Sequence, residues 1–258
     1  MQGLALTFLG TRGEIDARSH LHRRHSSLLV RRYRTRVMID CGADWLNQVA
    51  RLKPAAIILT HAHRDHAWGL ARGAPCPVYA TKKTWKLLPA FPVRDRRTVP
   101  TRKAVAIGGM KFEAFPVQHS VRAPAVGYRV SAGGAKLFYV PDVVKIDRCR
   151  SALRGIDLYI GDGAVIRRSL IRKRKKRMIG HTSIKNQLSW CRREQVGRAI
   201  FTHCGSEIVK GDARALDRAV RAMGVRHGVD ARIAHDGQRL SLPERSHSTQ
   251  RRMRRRKE

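Results

Sequence analysis

Between positions 61 and 66 the chain places four metal-ligand side chains in six residues, His61-Ala62-His63-Arg64-Asp65-His66. The run follows directly on Ala55-Ala56-Ile57-Ile58-Leu59-Thr60, an apolar stretch with the length and composition of a buried strand. A fold able to hold such a sequence must deliver a tight polar loop from a strand end, with space beside it for an ion. Imidazole nitrogen and carboxylate oxygen are the donor set of open catalytic sites for zinc and, less selectively, for iron or manganese. On one turn His61 and His63 can grip one ion, while Asp65 and His66 can face a second.

The rest of the chain alternates strand and helix signals. Strands are predicted at 4–9, 27–33 and 36–39, the last two joined as a hairpin, and at 110–117, 125–130 and 136–140. Further strands are expected at 158–160, 199–202, 231–234 and 239–242. Helices are predicted at 43–52, where Trp45, Leu46 and Val49 recur at helical spacing before Pro54, and at 184–195 and 212–223. With 258 residues and 42% hydrophobic content, one domain over 1–243 is expected, followed by a basic tail at 244–258.

Several short motifs flank the histidine run in order: Met38-Ile39-Asp40-Cys41-Gly42 before it, then Gln118-His119-Ser120, Val140-Pro141-Asp142 and Phe201-Thr202-His203-Cys204-Gly205. With the HxHxDH pattern of 61–66 they make the chain resemble the metallo-β-lactamase-fold hydrolases from about residue 3 to about 242. The resemblance implies an α/β fold, an αββα sandwich of two mixed β-sheets flanked by helices. That fold is a pseudo-duplication, here too diverged to show as an internal repeat.

The same resemblance implies a dinuclear centre. His61, His63 and His119 would hold the first ion, Asp65, His66 and His203 the second, and Asp142 would bridge them. Asp147 and Asp162 compete for the bridge, but Asp142 lies at a strand end, 23 residues beyond His119. Zinc is the expected metal, with manganese and iron(II) as alternatives. Asp40, Asp162 and His235 are expected just behind the ligands, where a carboxylate or ring can fix the outer nitrogen of a ligating imidazole. In the phosphodiesterase and transfer-RNA-3′-processing branches a histidine precedes the last ligand by about the 22 residues that separate His181 from His203. His181 is therefore read as a general acid standing at the start of a helix that begins at Thr182 or Ser183. Asp65 would also serve catalysis, orienting a metal-bridging hydroxide while ligating. The step of 23 residues from His119 to Asp142 leaves no room for the long arm usual in the transfer-RNA-processing enzymes.

Charge speaks to the partner. Lys and Arg number 54 against 19 Asp and Glu, a formal net charge of +35. Two clusters, 167–177 and 245–257, hold part of it, yet the remaining body stays strongly basic, as expected of a chain that meets DNA or RNA. Arg122 and the cluster residues Arg167, Arg168, Arg172, Lys173 and Arg174 are expected on loops rimming the pocket, in contact with substrate phosphates. The expected activity is hydrolysis of nucleic-acid phosphodiesters. The alternative is a small-molecule hydrolase of the same fold, acting on a cyclic phosphate, a lactone or a β-lactam. His20, His22 and His25 are read as an exposed basic loop rather than an accessory zinc site. Five scattered cysteines without a CxxC pair point away from a disulfide framework, and no run of eighteen apolar residues occurs. A cytoplasmic protein with no membrane partner is expected; a homodimer is one assembly left open.

Overall fold

The computed structural model describes residues 3–174 and 177–244; the expected tail lies outside them apart from Glu244. Seven strands form the first sheet, in spatial order Arg239–Leu242, Leu4–Gly10, Ser27–Arg32, Thr35–Ile39, Ala56–Ile58, Val78–Ala80 and Arg96–Thr98. The second has eight: Lys145–Ile146, Met110–Gln118, Ala125–Ala132, Ala135–Tyr139, Leu158–Asp162, Arg198–Thr202 and Asp230–Ile233 in order, with Ala104–Ile107 paired to Met110–Gln118. Both are mixed, and helices cover the second sheet's outer face. The expected αββα sandwich is the observed architecture.

Periodicity explains the layers. Burial alternates along Leu4–Gly10, so that Leu4, Leu6 and Phe8 point between the sheets, where they join Phe112, Tyr128, Leu137 and Leu158 in one core. In Ala56–Ile58 every residue is buried, because both faces are covered: Ile58 lies in the inter-sheet core and Ile57 in a second core under the turns that carry Trp45 and Val49. Helices Ile184–Arg193 and Ala213–Arg226 press Ile184, Leu188, Cys191, Val220 and Met223 onto the outer face of the second sheet, against Tyr159 and Phe201. Ser183 and Asp212 cap these helices, accepting amide hydrogens of Asn186 and of Arg214 and Ala215.

Three expectations are corrected. The helix predicted at 43–52 is two 3₁₀ turns, Ala43–Trp45 and Val49–Leu52: Leu46 is extended (φ −52°, ψ 129°) and Asn47 left-handed (φ 63°), so the apolar spacing serves two short turns. The basic segment read as a loop is a hairpin, Leu170–Arg174 paired with Arg177–His181. Of the histidines near the N-terminus only His20 is exposed as expected; His22 and His25 are 3% and 5% exposed. Thr11 explains His22: its hydroxyl donates to Asp236 (2.7 Å), and so accepts from His22 Nδ1 at 2.8 Å.

Strand direction positions the site. Thr35–Ile39 and Ala56–Ile58 run parallel, as do Ala135–Tyr139, Leu158–Asp162 and Arg198–Thr202. Their carboxyl ends therefore open on one edge of the sandwich, the usual place for a site in sheets with parallel strands. Backbone bonds close the seam there, from Val126 N–H to Thr60 O (3.1 Å) and from Cys204 N–H to Thr11 O (2.6 Å).

Candidate metal centre

Each expected ligand leaves the end of a strand at that edge. His61 and His63 follow Ala56–Ile58, with Asp65 and His66 on the short helix Arg64–Ala67; His119 follows Met110–Gln118, Asp142 follows Ala135–Tyr139, and His203 follows Arg198–Thr202. His63 Nδ1 lies 2.9 Å from His61 Nε2 and 3.3 Å from His119 Nε2. Asp65 Oδ2 lies 3.0 Å from both His66 Nε2 and His203 Nε2. Between the two groups sits Asp142, with Oδ2 at 2.7 Å from His66 Nε2 and 3.7 Å from His61 Nε2, and Oδ1 at 3.3 Å from His203 Nε2 and 3.8 Å from His119 Nε2.

The donor set fits two divalent ions. Ligand atoms at about 2.0–2.1 Å from a tetrahedral ion stand about 3.3 Å from one another. The observed spacings scatter around that value. His66 Nε2 and Asp142 Oδ2 are both buried without a hydrogen bond although 2.7 Å apart, as expected of donors aimed at a shared third point rather than at each other. Outer contacts leave the right nitrogen free in each ring. His66 Nδ1 donates to Asp40 at 2.8 Å; the Thr60 hydroxyl donates to Asp40 and so accepts from His61 Nδ1 at 3.0 Å; His119 Nδ1 donates to Gly180 O at 3.1 Å. In all three rings Nε2 is left for an ion. Asp40 reaches His66 from a left-handed backbone (φ 63°), and His203 has the same handedness (φ 56°).

Electrostatics point the same way. Burial opposes ionisation of Asp65 and Asp142, but the imidazoles facing them, His66 for Asp65 and His203 for Asp142, hold both carboxyls well below the usual range. Burial also opposes charge on His66, yet Asp65, Asp142 and Asp40 push it well above its ordinary value. The pocket is built to hold positive charge. Burial drives His61 and His63 the other way, His63 to about 4, which keeps them neutral as ligands must be.

Next to this cluster, His181 Nδ1 lies 2.8 Å from Asp162 Oδ2 and 3.5 Å from Asp142 Oδ1. Burial disfavours its charge, but Asp162 prevails and raises its pKa to about 9. His181 ends a hairpin strand instead of starting a helix, two residues before the Ser183 cap, and the group facing its Nδ1 is the Asp162 carboxylate, whose charge acts opposite to that of a helix N-terminus. Asp162 thus backs His181; its Oδ1 is 4.0 Å from His203 Nδ1. His235 stays away from the cluster: it is exposed and its Nδ1 faces the carbonyl of Asp236. Arg122, Arg167, Arg168, Arg172, Lys173 and Arg174 are all exposed, and the cavity over the cluster, about 600 Å³, reaches the hairpin through Leu170 rather than through any of them.

Residues outside the sequence motifs complete the site. Gly13 and Glu14 line the cavity, and a Cβ on Gly13 would stand 3.0 Å from the His203 ring. Gln187 is fully buried; its side chain donates to Asp162 O (2.7 Å) and accepts from Asp162 N–H and the Tyr159 hydroxyl, both at 2.9 Å. Its signal was a polar residue at a core position of an amphipathic helix, beside Ile184, Leu188 and Cys191.

Sandwich and cluster together define a hydrolase of the metallo-β-lactamase fold. The chain belongs to the beta-lactamase superfamily, whose domain profile matches residues 35–204. A ribonuclease Z of Mycobacterium bovis (strain BCG / Pasteur 1173P2) is 22% identical over 244 residues, spanning 78% of this chain and 85% of the relative. Among solved structures, the metallo-beta-lactamase fold protein YhfI of Bacillus subtilis superposes with a TM-score of 0.72 at 16% identity, covering 94% of this chain and all of the other. A diphosphatase of the PhnP family superposes with a TM-score of 0.70 at 25% identity, covering 93% and 97%. No helix among the described residues is long and apolar enough to cross a membrane.

Proposed function

We propose that this chain is a two-metal phosphodiesterase acting on nucleic acid. The observation that carries the reading is His181, backed at 2.8 Å by the buried Asp162, on the wall of the cavity that also contains His63, Asp65, His119, Asp142 and His203. Two divalent ions, held by His61, His63 and His119 on one side and Asp65, His66 and His203 on the other with Asp142 between, would supply an activated water and neutralise phosphoryl charge. Asp65, turned to the cavity, orients the attacking water. Asp162 accepts from Nδ1 of His181, which fixes the ring's tautomer and stabilises its protonated form, so that Nε2 can present a proton to the departing oxygen. The relatives named ribonuclease Z and the +35 charge support a nucleic-acid substrate, and the exposed arginines and lysine of the 167–177 segment offer phosphate contacts away from the metals. We assign catalysis to residues 1–243.

A second reading, hydrolysis of a small phosphate ester, is favoured by the cavity itself. Glu14 and Glu207 line it, with Arg64 the lone arginine or lysine among the lining residues, and the PhnP-family diphosphatase supports it. Assay of the zinc- and manganese-loaded protein on DNA and RNA oligonucleotides, a cyclic nucleotide, bis-p-nitrophenyl phosphate and a lactone tests both. Oligonucleotide cleavage is expected; efficient turnover of the cyclic phosphate or the lactone alone would replace the nuclease reading.

A further inference from the structure

A second cleft, of about 580 Å³, adjoins the metal cavity and shares His119 with it as a wall. Its character is different. Val99, Pro100, Val117, Pro124 and Val126 give it an apolar surface, and Lys82, Lys83 and Arg177 add three cations against one carboxylate, Asp147. None of these three cations forms an ion pair among the described residues. The metal cavity is the reverse, with Glu14, Glu207, Asp65 and Asp142 around a single arginine. Free cationic charge near the centre is thus gathered in the neighbouring cleft.

The hairpin walls both cavities: Leu170 and His181 line the first, Arg177 and Met178 the second. His119 and Gly180 exchange backbone and ring bonds, Gly180 N–H to His119 O at 2.9 Å and His119 Nδ1 to Gly180 O at 3.1 Å, so this wall is tied to a candidate metal ligand. A ligand with one phosphate at the metals can therefore continue past His119 into a cleft with an apolar face and its own cations. The volume lies within the roughly 300–1,000 Å³ of small-molecule sites.

We infer that this cleft binds the nucleotide next to the scissile phosphodiester, a reading that rests on the proposed nucleic-acid substrate. Lys82, Lys83 and Arg177 take the phosphates that flank it beyond the metals, and the valine and proline surface takes its sugar and base. Fluorescence anisotropy of a fluorescein-labelled phosphorothioate adenylate tetramer on the metal-loaded protein measures this directly. Removing two phosphate contacts with Lys82→Gln/Lys83→Gln should raise Kd about tenfold and lower the salt slope by about one to two. Thr98→Trp, which fills the cleft from an exposed position, should raise KM for the unmodified tetramer and leave kcat/KM for bis-p-nitrophenyl phosphate unchanged. Unchanged Kd in the lysine variant, or equal losses on both substrates, would overturn the subsite. Tight, lysine-dependent binding without cleavage would uphold it while removing the nuclease reading; cleavage indifferent to all three substitutions would do the opposite.

Discussion

Asp162 reaches His181 from the end of a central strand, its Oδ2 2.8 Å from the ring Nδ1, while its two oxygens also accept the amides of Val143 (3.0 Å) and Ala164 (2.8 Å). Gln187 grips its backbone from the helix behind. The carboxylate therefore has one position, and the imidazole inherits it. A strand, the hairpin and a helix that follow one another in the chain, Leu158–Asp162, Leu170–Arg174 with Arg177–His181, and Ile184–Arg193, together fix this one ring.

If His181 acts as the proposed proton donor, removing it should separate chemistry from metal binding. His181→Ala is expected to keep its metals and lose roughly 10²–10⁴-fold in rate on a diester with a poor leaving group, with far less loss on a p-nitrophenyl diester. Steady-state kinetics on the two substrates checks this; equal losses would make His181 a positioning residue.

Asp142 reaches donors of both groups, at 2.7 and 3.3 Å on one side and 3.7 and 3.8 Å on the other. Elemental analysis of the reconstituted protein should give close to two ions per chain, and Asp142→Ala should lose most of both. A variant that retained one ion at full occupancy would show that Asp142 serves a single site.

Phosphate binding by the hairpin should be visible in salt dependence. Arg172→Gln/Lys173→Gln/Arg174→Gln is expected to flatten the plot of log affinity against log salt, each lost contact removing about 0.7–0.9 from the slope. Turnover of bis-p-nitrophenyl phosphate should be nearly unchanged, since these exposed residues do not line the metal cavity. Titrations of an oligonucleotide at several salt concentrations would reveal a parallel line if the hairpin takes no part.

Stability should fall in mild acid for a reason outside the metal cluster. Burial lowers both His22 and His25 to about 4, against an ordinary 6.5. Between those values the unfolded chain takes up protons that the folded one refuses, so the stabilisation is complete above pH 6.5 and is lost as pH falls toward 4. Each histidine contributes at most about 3 kcal/mol across that window. Urea denaturation of the chelated protein at pH 7.5 and 5 should show a smaller decline in His25→Gln than in the parent chain; identical declines would clear His25.

The cluster of candidate ligands was legible because its residues come in dense, ordered motifs, and the main strands because period and turns agree. His181 and Asp162 were both named, but their contact was not, since it depends on a hairpin whose strands are basic and exposed rather than alternating. Short buried strands such as Val78–Ala80 hold too few residues to show a period. The turns at 43–52 copied helical spacing until Leu46 and Asn47 left the helical region, a choice made by packing. His235 had the right neighbours in sequence and the wrong place in space. Gly13 mattered through a distance to His203, and distance across the sandwich is not written in local pattern.

The seam between the sheets has one more consequence. Residues 61–66 come from the first sheet, and His119, Asp142 and His203 from the second, so neither half holds the cluster by itself. An ion gripped from both sides is a rivet driven through two plates. Such a rivet could be set only once the plates were aligned, so an ion held by this cluster would be gripped last, after the two sheets had docked.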